Sequence, residues 1–112
     1  ELENGLIWAV VTQADVQKVG GQEVTDSGLS SFLIKVDEAM ISAVFKEQPN
    51  GTVELSFRSK PGYNVAQVAL SLGGGGHKQA SGATIPGPLA DATARVLPLL
   101  RDSLQSGSLV IQ

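Results

Sequence analysis

Short apolar blocks alternate along this chain with segments whose apolar residues recur every three or four positions, a pattern that predicts a sheet with helices packed on it. Leu6-Ile7-Trp8-Ala9-Val10-Val11 is unbroken apolar sequence, as expected of a strand buried on both faces. Thr12 stands where it caps a following helix, Asp15 lies near the positive end of that helix, and Gly20-Gly21 stops it. A second helix begins after Asp26 or Ser27, and Leu29, Phe32, Leu33 and Val36 at i, i+3, i+4 and i+7 give it one apolar face. Ile41 to Lys46 returns to the sheet. Pro49-Asn50-Gly51 then turns the chain into a run where Val53, Leu55 and Phe57 alternate with Glu54, Ser56 and Arg58. The apolar set must face the core, so Arg58 is directed to the opposite, polar face.

The second half continues in the same way. Asn64 is a good N-cap with Gln67 at the reciprocal capping-box position, Val65, Val68, Ala69 and Leu72 form a buried stripe, and Gly73 ends the short helix. A helix of this length carries the chain back across the sheet, which brings Arg58 and His77 within range of each other. Ala83-Thr84-Ile85 predicts a further strand closed by Pro86-Gly87-Pro88. Leu89, Ala92, Val96, Leu100 and Leu104 line one side of a final helix, in which Pro98 predicts a kink or two helices meeting near Leu97. The tail Leu109-Val110-Ile111 is apolar enough for an edge strand or a partner contact. The fold class is therefore α+β: a mixed sheet of about five strands with helices packed on it, in one compact domain of 112 residues.

Composition narrows the chemistry. Without cysteine there is no disulfide and no thiolate metal site, and one histidine leaves no paired-histidine metal motif. No segment approaches the length of a membrane span, and the first residues show no basic-then-apolar signal pattern, so the expectation is a cytoplasmic protein without membrane contact. A net charge of −3 argues against non-specific coating of nucleic acid. The distribution of charge says more. From Leu55 to Ala90 there is no acidic residue, while Arg58, Lys60, His77 and Lys78 all fall inside that window. A local positive field of this kind suits a compact anion.

Within the window, Gly73-Gly74-Gly75-Gly76-His77-Lys78 combines accessible backbone amides, an imidazole and an ammonium group, a set suited to phosphate. The amides of Gly74, Gly75 and Gly76 are candidate donors to phosphate oxygens, Arg58 offers a planar fork, His77 a further donor and Lys78 a second charge. A P-loop is excluded, because His77 occupies the lysine position and Gln79 follows Lys78. No nucleophile and orienting carboxylate adjoin His77 in sequence, so no catalytic residue is assigned.

Phe57-Arg58-Ser59-Lys60, a short helix, and Gly73-Gly74-Gly75-Gly76-His77-Lys78-Gln79-Ala80-Ser81-Gly82 together resemble the C-terminal, DHH-associated domain of DHH-family phosphoesterases. The match is to the branch of oligoribonucleases and pAp phosphatases (nanoRNases), related to RecJ-like exonucleases, and it covers nearly all of residues 1–112. The resemblance implies a two-domain hydrolase whose N-terminal DHH domain holds manganese and whose C-terminal domain binds short single-stranded RNA or DNA or small nucleotides. On that pattern Arg58, Ser59 and the Gly74 to His77 loop contact phosphate, ribose or base. The chain has no Asp-His-His triplet, so the expectation is the substrate-binding domain, with no metal or cofactor of its own and manganese in the separate catalytic domain. Family members are often dimers, which admits a homodimer. Ser81, where many members carry alanine, and Pro98 are departures from the pattern. Two other readings use the same loop: a nucleic-acid-binding or dimerisation appendage like that of alanyl-tRNA synthetases, and a domain of a dinucleotide second-messenger phosphodiesterase.

Overall fold

A computed structural model gives the fold, and the structure describes residues 1–18 and 26–110. Among them is one mixed sheet of six strands: β1 (Leu2–Glu3), β2 (Leu6–Val11), β3 (Ile41–Glu47), β4 (Thr52–Ser59), β5 (Gly75–His77) and β6 (Ala80–Pro86). Their spatial order is β1-β2-β3-β4-β6-β5. Only β2 and β3 run parallel, and the chain between them carries α1 (Gln13–Lys18) and α2 (Asp26–Leu33). The other pairs are antiparallel.

Side-chain alternation separates the two faces. On one, Ile41, Ala43 and Phe45 of β3, Val53, Leu55 and Phe57 of β4 and Ile85 of β6 join Leu6 in the core. Helices α3 (Ala66–Ser71) and α4 (Leu89–Val110) close it with Val68, Ala69, Ala92, Val96 and Leu100, and Val65 and Leu72, just beyond the ends of α3, complete it. Burial of each large aliphatic or aromatic side chain contributes about 1.5–3 kcal/mol, so this layer carries most of the stability. On the other face, α2 lies against β3 and β4 through a polar seam. Ser30 and Ser56 share a hydrogen bond of 2.8 Å between hydroxyls, and Ser42 Oγ donates to the Ser30 carbonyl at 2.7 Å. All three serines are buried.

Several expectations hold and several are corrected. Thr12 Oγ1 accepts from the Asp15 N–H and Asp15 Oδ2 accepts from the Thr12 N–H, a reciprocal cap at the start of α1. Gly20-Gly21 lie outside the described residues. β2 is not buried on both faces: Val10 is 40% exposed, because β2 is flanked by only two residues of β1 on its outer side. The apolar face assigned to α2 also needs correction. The helix ends at Leu33, and Phe32 is 66% exposed, since serines rather than Phe32 meet the sheet. Asn64 Oδ1 caps α3 by accepting from the Ala66 N–H at 3.0 Å, but Gln67 is exposed and does not return the bond. Pro98 does not divide the last helix, which runs unbroken from Leu89 to Val110. Both Pro98 and Ala94, whose carbonyl loses its usual partner, are exposed, so the missing bond lies on the solvent side of the helix. Leu109 and Val110 therefore belong to α4 and not to an edge strand, and Ile111 lies outside the described residues.

Candidate functional site

The glycine run divides into two structures. Gly73, at φ 86°, ends α3: its N–H donates to the Leu70 carbonyl and the Gly74 N–H donates to the Ala69 carbonyl at 2.7 Å. This paired closure is a Schellman motif. It removes the Gly74 amide from the predicted donor set, because that group is already bonded. Gly74 is glycine for a further reason: a Cβ there would collide with the Gly82 carbonyl of β6.

Gly75, Gly76 and His77 are not loop but strand, the edge strand β5, joined to β6 by the two-residue turn Lys78-Gln79. The ladder can be read outward from β4. The Ser59 N–H donates to the Gln79 carbonyl, which makes Arg58–Ala80 a non-hydrogen-bonded pair and turns the Ala80 amide toward His77. The alternation then leaves the N–H of Gly76 facing outward from the free edge. Gly76 has φ 141° and its Cβ would sit 2.6 Å from the Ala80 carbonyl, so no other residue takes that place without a shift. Gly75 is different. A Cβ there meets nothing within 4 Å and no unusual φ requires glycine, so the fold does not need its bareness.

Registration places Arg58 and His77 on the same face. Arg58 pairs with Ala80 and Ala80 with His77, so the two cationic side chains flank one alanine in a single cross-strand row. Two strand spacings put their backbones about 10 Å apart. The adjoining row is Ser56, Gly82 and Gly75. Beside α2, the sheet thus offers a shelf floored by Ala80, Gly82 and Gly75 and flanked by a guanidinium and an imidazole. Among the described residues, the guanidinium of Arg58 and the side chains of His77 and Lys78 make no hydrogen bond or ion pair. Lys60 differs, since its ammonium donates to the carbonyls of Val36 and Asp37 at 2.9 and 3.1 Å and so secures the turn after α2.

Ser59 is not part of this row. It lies on the core face, is buried, and its hydroxyl lies 3.2 Å from both the Tyr63 and Lys78 carbonyls. Its place is to hold the β5–β6 turn against the segment leading to α3. Ser81 has an equivalent task, donating to the Val65 carbonyl at 2.8 Å. Lys78 is exposed at the turn itself. Around that turn, Pro61, Gly62 and Tyr63 form with His77, Lys78 and Gln79 a cleft of about 400 Å³. Sequence reasoning missed Tyr63 and Gly62 in this position; the Lys60-Pro61-Gly62 turn was its one signal. Among the described residues no three His, Asp or Glu side chains gather as a metal site.

Residues 10–106 match the family model of the DHHA1 domain. The chain belongs to the DHHA1 family. It is 36% identical over 96 residues to the bifunctional oligoribonuclease and PAP phosphatase NrnA of Thermus thermophilus, a match that covers 85% of this chain and 29% of that enzyme. The chain thus spans less than a third of its relative's length. Its fold is shared with an exopolyphosphatase-related protein of Bacteroides fragilis (TM-score 0.73, 18% identity, 94% of this chain and 30% of that one). It is shared too with the C-Ala domain of Aquifex aeolicus alanyl-tRNA synthetase (TM-score 0.65, 14% identity, 88% and 89%). A third likeness is to the pGpG-specific phosphodiesterase PggH of Vibrio cholerae (TM-score 0.62, 15% identity, 92% and 35%). No helix among the described residues is long and apolar enough to cross a membrane.

Proposed function

We propose that this DHHA1 domain is the substrate-binding half of a phosphoesterase that hydrolyses short oligonucleotides or pAp-type nucleotides. The supporting observation is the row Arg58–Ala80–His77, two donor side chains without partners among the described residues on either side of a floor that carries almost no side chain. Desolvated phosphate needs donors that are not already bonded, and a guanidinium presents two of them in one plane. Arg58 holds one phosphate oxygen pair, His77 donates to the same or the next phosphate, and the outward amide of Gly76 adds a donor at the edge. Lys78, at the tip, supplies charge without fixed geometry. Gly75 leaves the room through which a sugar-phosphate backbone passes. Ser59 acts behind these groups, by positioning the turn.

The domain binds and orients; it does not cleave. The manganese of such an enzyme is assigned in this reading to a separate DHH domain; the chain has a single histidine, and among the described residues no cluster of His, Asp or Glu offers it a site. The 36% identity to an oligoribonuclease and PAP phosphatase favours this reading over a synthetase appendage, for which only the fold speaks. Calorimetric titration of the chain with pAp and with a diadenylate tests it. Binding that weakens about tenfold or more in Arg58→Ala and in His77→Ala, at unchanged melting temperature, is the expected result. Equal affinity in both variants and the parent overturns the assignment.

A further inference from the structure

A cavity of about 540 Å³ lies on the other side of the β5–β6 turn, between α3 and α4. This is within the size range of ligand pockets, about 300–1,000 Å³. Its walls are of two kinds. The Tyr63 ring, Val68 and Leu99 give apolar surface, while Asn64 and Gln67 bring amide side chains to it. The Ser71 hydroxyl is spent on the Val68 carbonyl at 2.7 Å, and Asn64 Oδ1 accepts from the Ala66 N–H. Among the described residues, the Tyr63 hydroxyl, the Gln67 amide and the Asp102 carboxylate make no hydrogen bond. Ser103 is already committed, donating to the Asn64 carbonyl at 3.1 Å, and so braces α4 against the segment leading to α3.

The cavity adjoins the cleft beside His77: Gly62, Tyr63 and Lys78 line both. A flat ligand with apolar faces and a mixed donor and acceptor edge meets these walls, and a nucleobase has that chemistry: it stacks on an aromatic ring and pairs its edge with amide side chains. We infer that the α3–α4 cavity is a base-binding subsite, entered around Lys78 by a nucleotide whose phosphate is held at His77. This inference rests on the phosphate reading of the His77 row and adds the base to it. It assigns Tyr63 as the stacking platform and Gln67 as the edge-reading amide, residues outside the glycine run and the Arg-Ser strand end.

The test compares adenosine 5′-monophosphate with ribose 5-phosphate by NMR titration of the chain and of Ser71→Trp and Gln67→Ala. Ser71 is exposed at the end of α3, where its hydroxyl donates within the helix to the Val68 carbonyl, and the Gln67 side chain has no partner among the described residues, so neither change removes a core side chain. The expected result is that the monophosphate binds about tenfold tighter than the sugar phosphate and shifts Tyr63, Gln67 and Ser71. Ser71→Trp removes that advantage and leaves ribose 5-phosphate unaffected, and Gln67→Ala removes part of it. Equal binding of the two probes to the unaltered chain, or an advantage that survives Ser71→Trp, overturns the base subsite while leaving the phosphate site standing. Binding of neither probe overturns both.

Discussion

At the residue scale, the fold requires three of the four consecutive glycines and leaves the fourth to the proposed site. Gly73 closes a helix at positive φ, Gly74 avoids the Gly82 carbonyl, and Gly76 avoids the backbone of β6. Gly75 has open space where a side chain would stand. This asymmetry gives a paired prediction. Gly75→Val leaves the melting temperature within a degree or two of the parent and abolishes nucleotide binding, because the added methyls fill the shelf. Gly76→Val instead lowers stability by about 1–3 kcal/mol through backbone strain and by more where β6 must move aside. Chemical denaturation and calorimetric titration on both variants separate the two. The same scale distinguishes Arg58 from Ser59, adjacent in sequence and opposite in space. Loss of one charge-assisted hydrogen bond costs about 1.5–3 kcal/mol, so Arg58→Ala reduces affinity roughly 10- to 150-fold without loss of stability.

At the scale of elements, the β5–β6 hairpin carries half of the proposed site, and what positions it is a set of bonds to its turn and flanks. The Lys78 carbonyl accepts from the Val65 N–H at 2.8 Å and stands 3.2 Å from the Ser59 hydroxyl, and the Ser81 hydroxyl reaches the Val65 carbonyl. Ser59→Ala is expected to cost about 1 kcal/mol of stability for its lost hydrogen bond, measured by denaturant unfolding. Its effect on affinity should be several-fold smaller than that of Arg58→Ala, since Ser59 touches the site only through the turn. Much of this was legible in the sequence: the alternation of Val53, Leu55 and Phe57 fixed the faces of β4, and through them the face of Arg58. The hairpin strand was not legible. Gly75-Gly76-His77 has no β-propensity, and its pairing comes from the two-residue turn and the neighbouring β6 and not from local sequence. The face of α2 was misread for a related reason. Periodicity counts apolar residues, and it was Ser30 that the sheet received, bonded to Ser56.

At the scale of the molecule, an acidic chain presents a local positive site. Between Glu54 and Asp91 the sequence carries four basic residues or histidine and no acid, and the fold gathers three of them, Arg58, His77 and Lys78, at one end and edge of the sheet. Lys60 lies near them but is spent on α2. Binding of a dinucleotide is therefore expected to weaken with added salt, and Lys78→Ala to flatten that dependence while reducing affinity less than Arg58→Ala. Titrations at several salt concentrations read both effects. The overall class, an α+β domain on a mixed sheet, followed from the pattern of elements, while the sixth strand and the unbroken α4 required the three-dimensional pairing.

The proposed phosphate site on the Arg58–His77 row belongs to this domain alone and needs no metal. An NMR titration with a two- to four-nucleotide RNA in EDTA addresses it most directly. The expected result is shifts at Arg58, Gly75, Gly76, His77 and Lys78, with Phe32 and the exposed side of α2 unmoved. An absence of shifts at millimolar RNA, or shifts centred away from that row, would contradict it.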